Sequence, residues 1–297
     1  MGLFMNNHSG KLKDKLGKLV PYLLLLPTFA LFTIFSYWPF LKSIYLSMTV
    51  TDKRGRPKKF VKFANFQRVF KSIDFLQTMK NTFYFAAMVG AFTFLLALFL
   101  ALISVEKRRL SRVYEVMYSI PMAIAAAPAA ALWLFILKQG GVLDMITGKN
   151  HDWLTTRHLA IYGVTAATVW LAIGSSFLFL LVGFRNVPED LLESAKIDGA
   201  NWLTRVFKIM FPIASPQIFF VIFLNITHSF KAFGEIRLLT AGGPAGATTT
   251  LVYSIYEQAM LHGRFETACV YSLILFFVIF LTTRVQLLAE HKFVFYE

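Results

Sequence analysis

The stretch "VPEDLLESAKIDGANWLTRVFKIMFP", Val187 to Pro212, carries charges of both signs between two long apolar runs. Pro188 suits the first position of a helix, with Asn186 nearby as a cap. Glu189 and Asp190 then fall in the first turn, where the helix dipole favours anions. Glu189 and Glu193 are four apart and share a face, while Leu191, Leu192 and Ala195 can cover another. Gly199 permits a backbone turn that a Cβ would resist. A second helix follows, with Trp202, Val206, Ile209 and Met210 at helical spacing. Pro212 marks entry to the next apolar run. A basic amphipathic helix lying flat on a bilayer is the other reading of such a segment. A bent pair with acids on its first arm fits better as a compact knob offered to another protein.

The surroundings of that knob fix the class. The chain has 297 residues, 57% hydrophobic and only 15% charged, against about 25% charged in an ordinary soluble domain. Several runs reach the roughly 20 residues that cross a bilayer. They are continuously apolar, as in "AAMVGAFTFLLALFLALI" from Ala86 to Ile103, whereas membrane β-barrels alternate apolar and polar residues. The expected fold is therefore an all-α integral membrane protein. Six spans are predicted: Val20–Ser47, Met79–Ser104, Val113–Leu137, Leu159–Phe184, Ile213–Phe233 and Thr267–Leu288. The first is too long for a signal-peptide core and lacks a clear cleavage site, so it is read as retained. Residues 1–19 form an N-terminal segment, 20–288 one membrane domain containing the charged loop 185–212, and 289–297 a tail.

Six spans place both termini on one side. Basic residues divide evenly between the two sides, so charge counting alone does not orient the chain. "EKRRLSR", Glu106 to Arg112, is a tight basic loop between close spans, and four lysines precede the first span. Both groups favour cytoplasmic termini. The basic first outer loop, "TDKRGRPKKFVKF" from Thr51 to Phe63, argues against it. A net charge of +14 is read as topology and anionic-lipid contact rather than nucleic-acid binding.

The charged stretch is similar to the "EAA" loop of bacterial ATP-binding-cassette (ABC) importer permeases. The family pattern is E-A-A, two residues, D-G, an intervening stretch, then I-x-L-P. Here it reads Glu193-Ser194-Ala195, Asp198-Gly199-Ala200, then Ile209-Met210-Phe211-Pro212, departing at Ser194 and Phe211. "LTAGGPAGATTTLVYSIYEQAM", Leu239 to Met260, resembles the outer-loop signature of the carbohydrate-uptake branch. "PYLLLLPTFALFTIFSYWPFLKSIYLSM", Pro21 to Met48, resembles that branch's first span. "FVKFANFQRVF", Phe60 to Phe70, resembles its "FVGLDNF" segment and places the basic loop outside. "YSIPMAIAAAPAAALWLFIL", Tyr118 to Leu137, together with "TTTLVYSIY", most resembles the glycerol-3-phosphate permeases.

The resemblance implies the MetI-like permease fold in the bacterial cytoplasmic membrane, and a sugar or glycerol phosphate as solute. It implies a second homologous permease, a dimer of cytoplasmic ATP-binding subunits and an extracytoplasmic solute-binding protein. The chain itself would be non-catalytic and without a cofactor. The loop would be a coupling helix seated in a groove of an ATPase subunit, with Glu193 pairing with a basic groove residue and Gly199 allowing the bend.

Other polar residues were weighed for chemistry. "GGPAGATTT" lacks the Lys-Ser/Thr ending of a phosphate loop; Gly242, Gly243 and Pro244 are read as a tight turn folding the outer loop toward the pathway. Asn225 falls near mid-membrane in the fifth span, followed by His228, Ser229, Lys231 and Glu235. Polar groups at such depth usually face a cavity or each other, so Asn225, His228 and Ser229 are candidate pathway residues. Lys231 and Glu235 are read as a headgroup-level ion pair. Pro121 and Pro128 are expected to kink the third span, and Gly174, Ser175 and Ser176 to allow close packing in the fourth. His8, His151, His158, His262 and His291 lack metal-ligand spacing, and Cys269, the single cysteine, is read as a buried, inert thiol. No hydrolase motif appears. The alternative function, an ion-coupled secondary transporter or channel, predicts carboxylate or histidine relays inside spans, where this sequence has almost no carboxylates.

Overall fold

The computed structural model describes residues 20–106, 109–148 and 150–294. The N-terminal segment 1–19, with its four lysines and His8, lies outside the described residues, as do Lys107, Arg108, Lys149 and 295–297. Helix α1 (Val20–Ser47) leads into a hairpin of β1 (Thr49–Thr51) and β2 (Pro57–Phe60). Then come α2 (Ala64–Phe70), α3 (Ile73–Ser104), α4 (Ser111–Ser119), α5 (Ala126–Leu137) and α6 (Val142–Thr147). Helix α7 (Ala160–Arg185) is followed by α8 (Glu189–Ile197), α9 (Trp202–Ile213), α10 (Ser215–Lys231) and α11 (Gly234–Leu239). Helices α12 (Leu251–Tyr256, prolonged by a π turn to Leu261) and α13 (Phe265–Phe293) close the chain.

Among the described residues, five helical stretches are long and apolar enough to span a membrane, with α5 and α6 taken together as one, and six if the bent α9–α11 pair counts as another. Helix α7 is the hub. Phe177, Leu180 and Phe184 on it are almost fully buried, and with Ala97 and Ala101 of α3 and Val206 and Met210 of α9 they form one core. Toward the other end, Phe85 and Val89 of α3, Val164 of α7, Ile236 of α11 and Tyr253 of α12 form a second. Helix α1 exposes every residue from Val20 to Leu41; only its C-terminal part packs, against α13, with Phe40 and Phe276 rings 5.0 Å apart. In a bilayer such an apolar face needs no protein partner, because lipid tails match it.

The third span departs from expectation. Its segment breaks at a 3₁₀ turn, Ile120–Ala123, followed by extended backbone at Ile124 and Ala125. Pro121 starts that turn, whereas Pro128 sits in the first turn of α5, where its missing N–H is not needed. By length and apolarity the stretch Ala126–Thr147 also reaches a membrane's thickness, with a break of its own at Lys138–Gly141. The fifth span starts at Ser215, past a 74° bend, because Pro216 opens α10. Pro212 belongs to the last turn of α9.

The basic first loop is the hairpin, so the otherwise helical fold carries a two-stranded sheet. Thr49 pairs with Phe60 and Val50 with Lys59. Asp52 Oδ1 accepts the N–H groups of Arg54 and Arg56 at 2.9 and 2.8 Å. The Arg56 bond, with the surrounding cations, holds the Asp52 carboxyl below its ordinary pKa. Asn65, 1% exposed, donates from Nδ2 to Ser47 O and Thr49 O at 2.9 and 2.8 Å and so fastens the hairpin to α1. Thr51 Oγ1 reaches Glu266 at the start of α13.

Candidate translocation cavity and charged elbow

A cavity of about 640 Å³ opens between the broken third span, α7 and α10. Pro121, Met122 and Ile124 form one wall, Ser175, Ser176 and Phe179 another, and Asn225, His228 and Lys231 a third, with Glu235 at its margin. The break in the third span makes this opening: Gly174 lets Ser119 approach, its missing Cβ leaving only 3.1 Å to Ser119 O. The small residues of α7 thus pack as expected at Gly174, while Ser175 and Ser176 also reach the cavity.

Asn225 is 7% exposed. Its Oδ1 accepts a 2.9 Å bond from Ser176 Oγ, and its buried Nδ2 has no partner among the described residues. An unpaired buried donor costs about 1–3 kcal/mol. His228 and Lys231 are exposed to the cavity, one turn further along α10. Lys231 and Glu235 both line the opening and form no ion pair with each other, so the pairing expected between them is absent. Ser229 turns away: it is 2% exposed and bonds Ile226 O at 2.8 Å.

Gly242 and Gly243 line a separate polar cavity of about 440 Å³, with Arg68, Asp74, Gln77 and Glu257. The tight turn is present. Gly242 has φ +78°, and a Cβ there would lie 2.5 Å from Tyr253 Cε1. The threonines after Pro244 stitch the turn: Thr249 Oγ1 donates to Gly242 O at 3.0 Å and Thr248 Oγ1 to Gly243 O at 2.9 Å. Asn81 of α3 donates to Gly246 O and Thr249 O at 2.8 and 3.1 Å. The turn is thereby fixed to α3.

At the far end of α7 stands the charged elbow. Pro188 precedes α8 as its N-cap with extended ψ, and Asn186 ends α7, so neither takes the role expected of it at the start of the elbow. Gly199 N–H donates to Lys196 O at 3.1 Å and Ala200 N–H to Ala195 O at 2.9 Å, with Gly199 at φ +80°. This is the paired-bond stop that ends many helices. Asn201 caps α9, accepting from Thr204 N–H at 2.8 Å; an Asn directly before "WLTR" is the local signal of that cap. Val206 and Met210 are buried, Ile209 half-buried, and Trp202, expected to pack with them, is 45% exposed. Glu193, Ser194, Asp198 and Gly199 are exposed, Ala195 and Ala200 half-buried. Leu191, Ile197, Leu203 and Phe207 add exposed apolar area to the same segment.

A multi-pass bundle, broken around a largely apolar cavity with a few polar side chains in its wall and carrying a charged elbow at one end, fits a membrane transport subunit. The chain belongs to the family of binding-protein-dependent transport system inner membrane components, whose pattern matches residues 93–293. It is 35% identical over 94% of its length to the sn-glycerol-3-phosphate transport system permease protein UgpA of Agrobacterium fabrum, covering 97% of that protein. It is 34% identical to the UgpA protein of Yersinia pestis, over 90% of this chain and 92% of that one. Its fold matches a chain of a bacterial ABC transporter involved in import of the acidic polysaccharide alginate, with TM-score 0.81, 22% identity and coverage of 94% and 96%. A second structure of the alginate transporter, in complex with a pentasaccharide-bound periplasmic protein, matches with TM-score 0.83 at 21% identity over the same shares. The chain is a transmembrane subunit of an ABC importer and an inner-membrane protein.

Proposed function

We propose that the chain forms half of the translocation pathway for a glycerol-phosphate-type or sugar solute, which passes the cavity at Asn225. The observation that carries this reading is the buried Asn225 amide, unpaired at Nδ2 and lining a cavity that also holds His228 and Lys231, with Glu235 at its margin. A phosphorylated polyol presents hydroxyl oxygens to the amide and anionic oxygens to His228 and Lys231. The similarity to the sn-glycerol-3-phosphate permeases supports the same solute class. A second homologous permease completes the pathway.

The elbow at 185–212 is the coupling element. Its exposed Glu193, Ser194, Asp198 and Gly199 meet a cytoplasmic ATP-binding subunit, which performs the hydrolysis. That assignment puts both termini in the cytoplasm and the basic hairpin outside, facing headgroups and a solute-binding protein. Ile209 and Pro212 carry the force into α10. Gly242, Gly243 and Pro244 hold the outer turn in register with α3. The membrane domain is 20–288, with short cytoplasmic segments on either side.

The test is uptake in cells expressing the complete transporter, with sn-glycerol 3-phosphate and maltose as probes. The expected result is uptake of the first, with a KM raised by Lys231→Gln. Import of maltose insensitive to Lys231 overturns the anionic-solute reading. Cysteine at Ser194 that reacts with an impermeant maleimide from outside intact cells overturns the coupling reading.

A further inference from the structure

Arg185 is the last residue of α7 and stands just before the elbow. Its guanidinium donates to Ser104 O at 2.8 Å, to Val105 O at 3.4 Å and to Glu115 Oε1 at 2.7 Å. The first two acceptors are the carbonyl end of α3, whose final C=O groups have no partner within the helix and carry partial negative charge. The third stands on α4. One side chain therefore joins α3, α4 and α7 at the root of α8. The Arg185 and Glu115 side chains are 24% and 22% exposed, so salt screens this pair less than a surface pair.

Helix α4 continues into the broken turn that walls the cavity. From Glu115 the chain runs through Ser119, whose hydroxyl donates to Glu115 O at 2.7 Å, to Pro121, Met122 and Ile124 on the cavity wall. A continuous path of contacts thus links the elbow to the wall through α4. Rigid elements joined through such contacts are what carry a displacement between distant sites.

We propose that Arg185 is a positioning residue that makes α4 follow the elbow, so that a push on α8 displaces the Pro121–Ile124 wall. This rests on the reading of α8 as the ATPase contact. Arg185 touches neither solute nor nucleotide. It holds Glu115 in register with the elbow, and loss of the bond leaves α4 free to stay behind when α8 moves.

The experiment uses the complete transporter in lipid nanodiscs. Met122→Cys in a Cys269→Ser background reports on the wall through its rate of reaction with a water-soluble maleimide, before and after trapping with ATP and vanadate. The unaltered junction gives a trapping-dependent change in rate. Glu115→Gln is expected to shrink that change about five-fold, and Glu115→Asp to keep most of it. A full response from Glu115→Gln overturns the proposal. If Glu115→Gln does not assemble, Arg185→Gln, which still donates to the α3 carbonyls, is read the same way. Gly199→Asp separates the two readings. When it abolishes the response and Glu115→Gln does not, the junction alone is wrong. When both respond like the parent, the coupling reading falls too.

Discussion

Ser176 Oγ donates to Asn225 Oδ1 across 2.9 Å, joining α7 to α10 at the cavity. The bond fixes the amide so that Nδ2 stays buried and available. Asn225→Leu removes both and is expected to lower solute uptake by about three- to tenfold, the worth of one hydrogen bond between neutral groups. Ser176→Ala leaves the amide in place and releases its orientation, so a loss of about two- to threefold is expected. Initial uptake rates, normalised to the amount of chain in the membrane, check both. Equal rates for Asn225→Leu and the parent would remove Asn225 from the pathway.

At Gly199 backbone and packing requirements separate. The residue sits at φ +80°, and a Cβ built on it meets nothing within 4 Å. Aspartate tolerates the left-handed region better than most residues, so Gly199→Asp is expected to insert and to keep its thermal midpoint within a few degrees. It also adds a carboxylate beside the exposed Asp198 and Glu193 on the proposed docking surface. Uptake is expected to fall below a tenth of the parent while the protein stays in the membrane fraction. Immunoblotting with uptake reads the two separately, and normal uptake at normal abundance contradicts the docking role.

The same separation explains what the sequence disclosed. Spans such as α3, α7 and α13 were legible because continuous apolarity over a bilayer's thickness has few other outcomes. Each runs past its expected end, to Ile73, Arg185 and Phe293, since polar residues at span termini still continue a helix. The elbow was legible because its stop, Gly199, needs no tertiary partner. The pairing of Ser176 with Asn225, 49 residues apart, has no local signature, and Arg185 reads from sequence only as a topological charge. The hairpin was hidden by its own lysines: judged by charge, "TDKRGRPKKF" is a solvated loop, although Asp52 and Gly55 form its turn. Ser229 shows the converse limit of spacing, which puts it on the Asn225 face while packing leaves it 2% exposed and bonded to Ile226 O.

Gly242 is held by both requirements at once. It has φ +78°, and an added Cβ would stand 2.5 Å from Tyr253 Cε1 and 2.8 Å from Thr249 Oγ1. Tyr253 is 3% exposed and cannot withdraw freely. Gly242→Ala therefore combines about 1–2 kcal/mol of backbone strain with about 1–3 kcal/mol of overpacking. Gly246, at φ +73° with its nearest neighbour 4.0 Å away, carries the first cost alone. The thermal midpoint of the purified transporter is expected to fall clearly more for Gly242→Ala than for Gly246→Ala. Matching midpoints would show that Tyr253 yields and that the turn is looser than its contacts indicate.

Asn65 of α2 ties α2 to the junction of α1 and β1 through two side-chain hydrogen bonds, beside the bond from Thr49 Oγ1 of β1 to Leu46 O at 3.0 Å. Both carbonyls it serves, Ser47 O and Thr49 O, lie where the chain leaves the helix and enters β1, and Ser47 and Thr49 are themselves buried. Asn65→Ala leaves those acceptors with one donor fewer, a cost of about 1–3 kcal/mol. Asn65→Asp removes the donor and adds a charge at a site 1% exposed, so it is expected to be worse. The loss is expected to fall first on the hairpin, because both carbonyls that Asn65 serves lie where α1 passes into β1. Limited proteolysis from the hairpin side is the measurement: cleavage near Lys58–Lys62 should quicken about five-fold or more in Asn65→Ala, with the α7 core resistant as before. Unchanged cleavage would mean that the strand pairing and the Thr51–Glu266 contact hold the hairpin without Asn65.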